Sequence, residues 1–239
     1  MINLLSDPHA WVSLLTLTVM EIVLGIDNLI FLAILAGRLP PERQAIARRL
    51  GLILALGSRL VLLATITWIM RLATPLFSIA GQSFSWRDLI LIGGGLFLVY
   101  KGTVEIHERI EGDPSQTVAS GRKVGMIGIL AQIVVLDIVF SFDSVITAVG
   151  MANDLEIMMA AVILSVGAML FAAAPLAAFV GRHPTVRMLA LSFLLLIGMT
   201  LMADGFGAPA GKGYIYAAMA FSAGVESLNL FAARRHRKP

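Results

Sequence analysis

From about Trp11 to Ala36 the sequence is apolar almost throughout, yet Glu21, Asp27 and Asn28 sit inside that run. An apolar stretch of this length is a candidate transmembrane helix. The acids fall near its middle, where an ionised side chain is costly and usually functional. The pattern returns as Asp137-Ile138-Val139-Phe140-Ser141-Phe142-Asp143-Ser144. In both copies a carboxylate is followed six residues later by Asp, then by a small polar residue. Duplicated intramembrane acids suggest a cation site built where two repeats meet.

The rest of the chain fits a membrane setting. Of its 239 residues, 58% are hydrophobic and only 14% are charged, and the mean hydropathy is +0.89. Soluble domains carry more charge and less apolar content. The expected organisation is therefore a single transmembrane domain over residues 1–239. A net charge of +3 could suggest nucleic acid. The basic residues, however, lie in short loops and the tail, where they orient helices, so no nucleic-acid partner is expected. The absence of cysteine excludes a disulfide framework and a thiolate metal site. The N-terminus lacks a basic n-region and a small-residue cleavage site, so the first apolar run reads as a retained helix.

Seven apolar segments follow one another, at about 11–36, 45–70, 88–104, 124–151, 155–180, 186–203 and 214–233. The expected fold is an all-α membrane protein of seven transmembrane helices. Pro75 and Gly81-Gln82-Ser83 read as a turn, and Gly93-Gly94-Gly95 permits close helix approach. Alternate loops hold Arg38, Arg43, Arg48 and Arg49, then Arg109, Arg122 and Lys123, then Arg182 and Arg187. The tail adds Arg234, Arg235, Arg237 and Lys238, whereas the opposite side holds only Arg71, Arg87 and Lys212. This asymmetry predicts an outside N-terminus and a cytoplasmic C-terminus in the inner (plasma) membrane.

The halves align: Asp27 with Asp143, Gly51 with Ala161, and Lys101-Gly102 with Asp204-Gly205. Each half is then a three-helix unit, about 10–105 and 124–205, with the seventh helix, about 214–233, outside the repeat. Three is odd, so the second copy is inverted relative to the first, a transporter architecture with its site at the midplane.

The candidate metal ligands are Glu21, Asp27, Asn28, Asp137, Asp143 and Ser144. At about 100° per residue, positions seven apart share a helix face, so Glu21 lies with Asn28 and Asp137 with Ser144. Asp27 and Asp143 lie about 120° from their partner acids. Local unwinding near Gly25 and near Ser141 would bring both acids of a pair inward and offer backbone carbonyls. All six donors are oxygens, and none of the histidines (His9, His107, His183, His236) is at membrane depth. Such a site suits Mg²⁺, Ca²⁺ or Mn²⁺ rather than Zn²⁺ or Cu⁺. Four carboxylates together must bind cation or protons, which offers a proton-exchange route. Arg59, Lys101, Asp204 and Glu226 are candidate counter-charges or supporting groups, although Lys101 can instead snorkel to the interface. Met20, beside Glu21, would favour Mn²⁺ through its soft thioether. No nucleophile–histidine pair or zinc motif lies at depth, so an enzyme is not expected.

Glu21–Asn28, Asp137–Ser144, Lys101-Gly-Thr-Val-Glu-Ile-His107 and Lys212-Gly-Tyr-Ile-Tyr216 resemble the TerC family of integral membrane proteins over nearly the whole chain. The family is grouped with the LysE-type transporters, and its members are implicated in manganese export. The resemblance implies a metal site at the two motifs, with Mn²⁺ as transported substrate and no tightly bound cofactor. Some relatives carry Ser before the motif Asp; here only the second copy does, at Ser141. Some also carry a cytoplasmic regulatory domain, which a chain ending at Pro239 is expected to lack. The expected partners are the lipid bilayer and the ion, with a homo-oligomer compatible. Two alternatives stand beside Mn²⁺ export: transport of Ca²⁺ or Mg²⁺, and a non-transporting accessory protein whose acids are structural.

Overall fold

A computed structural model describes residues 8–65, 75–79, 82–111, 125–149, 155–208 and 211–236. Among these, seven helices follow in order: α1 Pro8–Ala36, α2 Pro41–Ala64, α3 Trp86–Ile110, α4 Met126–Val149, α5 Leu155–Arg182, α6 Pro184–Gly205 and α7 Lys212–His236. Five contain apolar stretches long enough to cross a bilayer: α1, α3, α5, α6 and residues Gly213–Ala232 of α7. Helix α2 carries Arg48, Arg49 and Arg59, which interrupt its apolar run. The described apolar part of α4, Met126–Phe142, is shorter than a span.

Local signals set the helix starts. Pro41 follows Pro40 at the head of α2, where its fixed φ fits and its missing N–H costs nothing. The helix thus begins before the apolar run does. Ser85 opens α3 with a capping box: its hydroxyl accepts from the Asp88 backbone N–H at 3.3 Å, and the Asp88 carboxylate accepts from the Ser85 N–H at 2.8 Å. At the other end α3 runs on to Ile110, past the apolar segment, because hydropathy marks the bilayer and not the end of the helix.

One element departs from the all-α expectation. Strands β1, Pro75–Ile79, and β2, Gln82–Ser85, form an antiparallel hairpin where only a turn was expected. Phe77 pairs with Phe84, their rings stacked at 5.6 Å, and Phe84 meets Phe206 edge-on at 6.4 Å. The hairpin therefore leads into α3 and touches the residue that ends α6.

Helix pairing follows a simple scheme. The principal partners are α3 with α6, α1 with α5, and α2 with α4; α2 also packs on α5. Helices α3 and α6 approach at glycines. A Cβ on Gly95 would lie 2.5 Å from the Gly198 carbonyl oxygen, and one on Gly198 would lie 2.9 Å from the Gly95 oxygen. Gly102 sits against Leu195, and Gly205 against Ile92. Aligning Lys101-Gly102 with Asp204-Gly205 also aligns Ile92 with Leu195 and Gly95 with Gly198, so the contacts exchange into one another. Gly94 receives Val139 of α4. Two of the three consecutive glycines thus serve close approach as expected.

The core runs between α1, α2, α4 and α5 and continues into the α3–α6 pair. Outward, large apolar side chains stay uncovered: Phe171 is 87% exposed and Phe221 74%. Such surfaces suit lipid rather than water. Helix α7 packs mainly on α6, and Met219 is its buried apolar residue among those described.

Candidate metal centre

Three charged side chains meet inside the bundle. Glu21 comes from the middle of α1, Asp137 from α4 and Arg59 from α2; all are buried, Glu21 at 8% exposure and the other two at 5%. The Arg59 Nη1 donates to Glu21 Oε2 at 2.5 Å. Its Nη2 and Nε both donate to Asp137 Oδ1, at 3.0 and 3.2 Å. One guanidinium therefore ties together the equivalent acids of the two motifs.

Asp137 collects further donors. Ser58, next to Arg59, donates to Oδ2 at 3.0 Å, and Ser141, one turn along α4, donates at 3.3 Å. Asn28 Nδ2 reaches Oδ1 at 3.5 Å. The Asn28 carbonyl oxygen is buried with no hydrogen-bond partner among the described residues. A buried, unsatisfied acceptor is costly, and a cation or a water would satisfy it.

The charge balance is uneven. Two buried carboxylates share one guanidinium, which leaves a formal excess of one negative charge before Asp27 and Asp143 are counted. Buried charge is tolerated when paired and hydrogen-bonded. A divalent cation would neutralise the Glu21–Asp137 pair in full.

Two cavities adjoin the cluster. A small one of about 30 Å³ touches Asn28, Arg59, Asp137, Phe140, Val166 and Met169. That exceeds the roughly 10–15 Å³ a cavity needs to hold a water molecule. A larger one of about 680 Å³ lies between α1, α6 and α7 and reaches Glu21, Asn28, Arg59, Asp204, Tyr216 and Glu226.

The site residues expected from sequence fall into three groups. Glu21, Asn28 and Asp137 come together, and Arg59 is their counter-charge. The side chains of Asp27, Asp143 and Ser144 lie outside the described residues, although their backbones belong to α1 and α4. Among the described residues, no three Asp, Glu, His or Cys side chains converge. The remainder are peripheral. Met20, Asp204 and Glu226 line the larger cavity, and Glu226 accepts from Thr185. No ion pair joins Lys101 to Glu21 or Asp137 among the described residues. Ser58 and Met169 were not anticipated; neither residue type stands out in an apolar helix.

The expected unwinding is not found. Helix α1 is continuous through Gly25, and α4 through Ser141. Gly25 serves another purpose: a Cβ there would overlap the methyl group of Met169 from α5. The glycine is a notch that lets α5 pack close.

Comparison with known proteins agrees with a membrane setting. The model of the integral membrane protein TerC family matches residues 6–239. This chain belongs to the TerC family. Its relatives include an inner membrane protein of Escherichia coli K12, YgdQ, 54% identical over 97% of both chains. A Haemophilus influenzae protein described only as UPF0053 is 51% identical over 96% of this chain and 97% of its own. YoaE of E. coli K12, an inner membrane protein, is 53% identical over 96% of this chain, which spans 44% of it. No solved structure matches. The family match and the long apolar helices make this TerC-family chain an integral, multi-pass membrane protein. The inner-membrane relatives support that same location for it.

Proposed function

We propose that the chain exports a divalent cation, Mn²⁺ foremost, across the inner membrane by alternating access. The observation that carries this reading is the buried Glu21–Arg59–Asp137 cluster with its excess negative charge. Its two acids come from equivalent positions of the two motifs, on different helices. Glu21, Asp137 and the free Asn28 oxygen supply part of the roughly six oxygens a hard divalent ion takes. Asp27, Asp143 and Ser144 lie along the same helices and complete the proposed set. Arg59 holds the two carboxylates, and an incoming ion competes with the guanidinium for them.

Helix pairing supports two inverted repeats, α1–α3 and α4–α6. Exchanging the halves turns α1–α5 into α4–α2 and maps α3–α6 onto itself, so the principal partners are preserved. The glycine contacts of α3 and α6 exchange in the same way. The larger cavity gives an approach to Glu21 and Asn28 along α7. The N-terminus is outside and the C-terminus cytoplasmic.

A second reading rests on the same ion pairs. Acids held by an arginine are also what a purely structural cluster would show, as in a non-transporting accessory protein. Metal titrations of the purified protein separate the two. A transport site gives Mn²⁺-dependent thermal stabilisation that Asp137→Asn abolishes. A structural cluster gives no metal response in either protein.

A further inference from the structure

The two halves place different side chains at equivalent positions beside the acids. With Gly51 aligned to Ala161, Arg59 of α2 corresponds to Met169 of α5. With Asp27 aligned to Asp143, Gly25 of α1 corresponds to Ser141 of α4. Arg59 crosses to α4 and binds Asp137, one turn before Ser141. Met169 crosses to α1 and lies against Gly25, one turn after Glu21. The exchange of halves therefore relates a cation on one acid motif to a thioether on the other.

The thioether is placed to meet an ion. An added Cβ on Gly25 would lie 3.0 Å from Met169 Sδ. Glu21, Gly25 and Asn28 fall at i, i+4 and i+7, so they share one face of α1. Met169 thus covers the notch between Glu21 and Asn28. It is 5% exposed and lines the small cavity together with Asn28, Arg59 and Asp137. Filling space alone does not require sulfur, since leucine has a similar volume. Sulfur differs from leucine in having a soft lone pair, which Mn²⁺, as a transition ion, accepts more readily than Mg²⁺ or Ca²⁺ does.

We propose that Met169 is a specificity-determining residue, its sulfur joining the oxygens of Glu21, Asn28 and Asp137 around the ion and favouring Mn²⁺ over Mg²⁺ and Ca²⁺. This rests on the metal-transport reading above. It assigns the soft donor to α5, not to Met20, which faces the larger cavity.

The test uses the full chain in detergent with Mn²⁺, Mg²⁺ and Ca²⁺ titrated separately. Met169→Leu is expected to lower the Mn²⁺/Mg²⁺ affinity ratio at least tenfold while the metal-free melting temperature stays unchanged. Met20→Leu is expected to leave the ratio as it is. X-ray absorption at the Mn edge of the wild-type protein supplies a readout that needs no variant. The chain has no cysteine, so a sulfur neighbour of Mn²⁺ must be a thioether. A spectrum with only oxygen or nitrogen neighbours overturns the assignment, as does an unchanged ratio in Met169→Leu or a fall confined to Met20→Leu. If wild-type protein binds no Mn²⁺ at all, the transport reading fails and this assignment with it. If it binds Mn²⁺ and Met169→Leu is indistinguishable, only Met169 is lost.

Discussion

Replacing Arg59 by methionine, the residue found at the equivalent position of the second half, separates the two roles of the buried cluster. Arg59 makes three hydrogen bonds to two carboxylates. Removing one partner of a buried ion pair costs about 3–5 kcal/mol, chiefly because the other charge is left unpaired. The metal-free Arg59→Met protein should therefore melt well below wild type. Its response to Mn²⁺ should move the other way. A unit positive charge about 4 Å from a divalent ion, at an effective dielectric near 20, opposes binding by roughly 8 kcal/mol. Relaxation and screening reduce this, so affinity should rise by one to three decades, at about 1.4 kcal/mol per decade. Arg59→Lys keeps the charge without the planar fork and should fall between the two. The assay is a melting curve in detergent across a Mn²⁺ titration. If Arg59→Met melts like wild type without metal, the ion pairs carry no weight. If it is destabilised and also loses its Mn²⁺ response, Arg59 supports the binding geometry and does not compete with the ion.

Two predictions concern the scaffold. Gly198→Val should cost at least 1–3 kcal/mol through overpacking, because its Cβ would lie 2.9 Å from the Gly95 oxygen and 3.0 Å from Leu98 Cβ. Gly57→Ala, where nothing lies within 4 Å, should be neutral or slightly stabilising; equal melting shifts for the two would contradict the close α3–α6 approach. The Arg38 guanidinium binds two acids of unlike exposure: Glu105, whose side chain is 5% exposed, at 2.6 Å, and Glu108, at 52%. Glu105→Gln should cost about 1–3 kcal/mol and Glu108→Gln less than about 1 kcal/mol, as read from denaturation; the reverse order would refute the burial argument.

What the sequence revealed follows from how costly each feature is. Glu21 and Asp137 stand out because carboxylates in apolar helices are rare, and Arg59 because a buried cation needs a partner. Their convergence on one arginine was less legible, since it depends on which helices pack together. Ser58 and Met169 carry no signal in a single sequence; a serine or methionine in an apolar helix is ordinary. Gly25 misled for a physical reason. A glycine permits unwinding, but it equally permits close packing, and Met169 decides the matter from another helix. The hairpin was legible in principle, because the β-prone residues Phe77 and Ile79 precede Gly81 in the sequence and Phe84 follows it. Its shortness and its place between long apolar runs hid it.

The central claim is that a divalent ion crosses the membrane through the paired acids. Mn²⁺ flux into proteoliposomes, read by a trapped metal-sensitive dye, tests it most directly. Wild-type protein is expected to transport Mn²⁺, while Asp27→Asn, Asp143→Asn and Asp137→Asn, each folded by melting curve, are expected to lose at least nine-tenths of the flux. Full flux in all three variants, or no flux in the wild type, would contradict it.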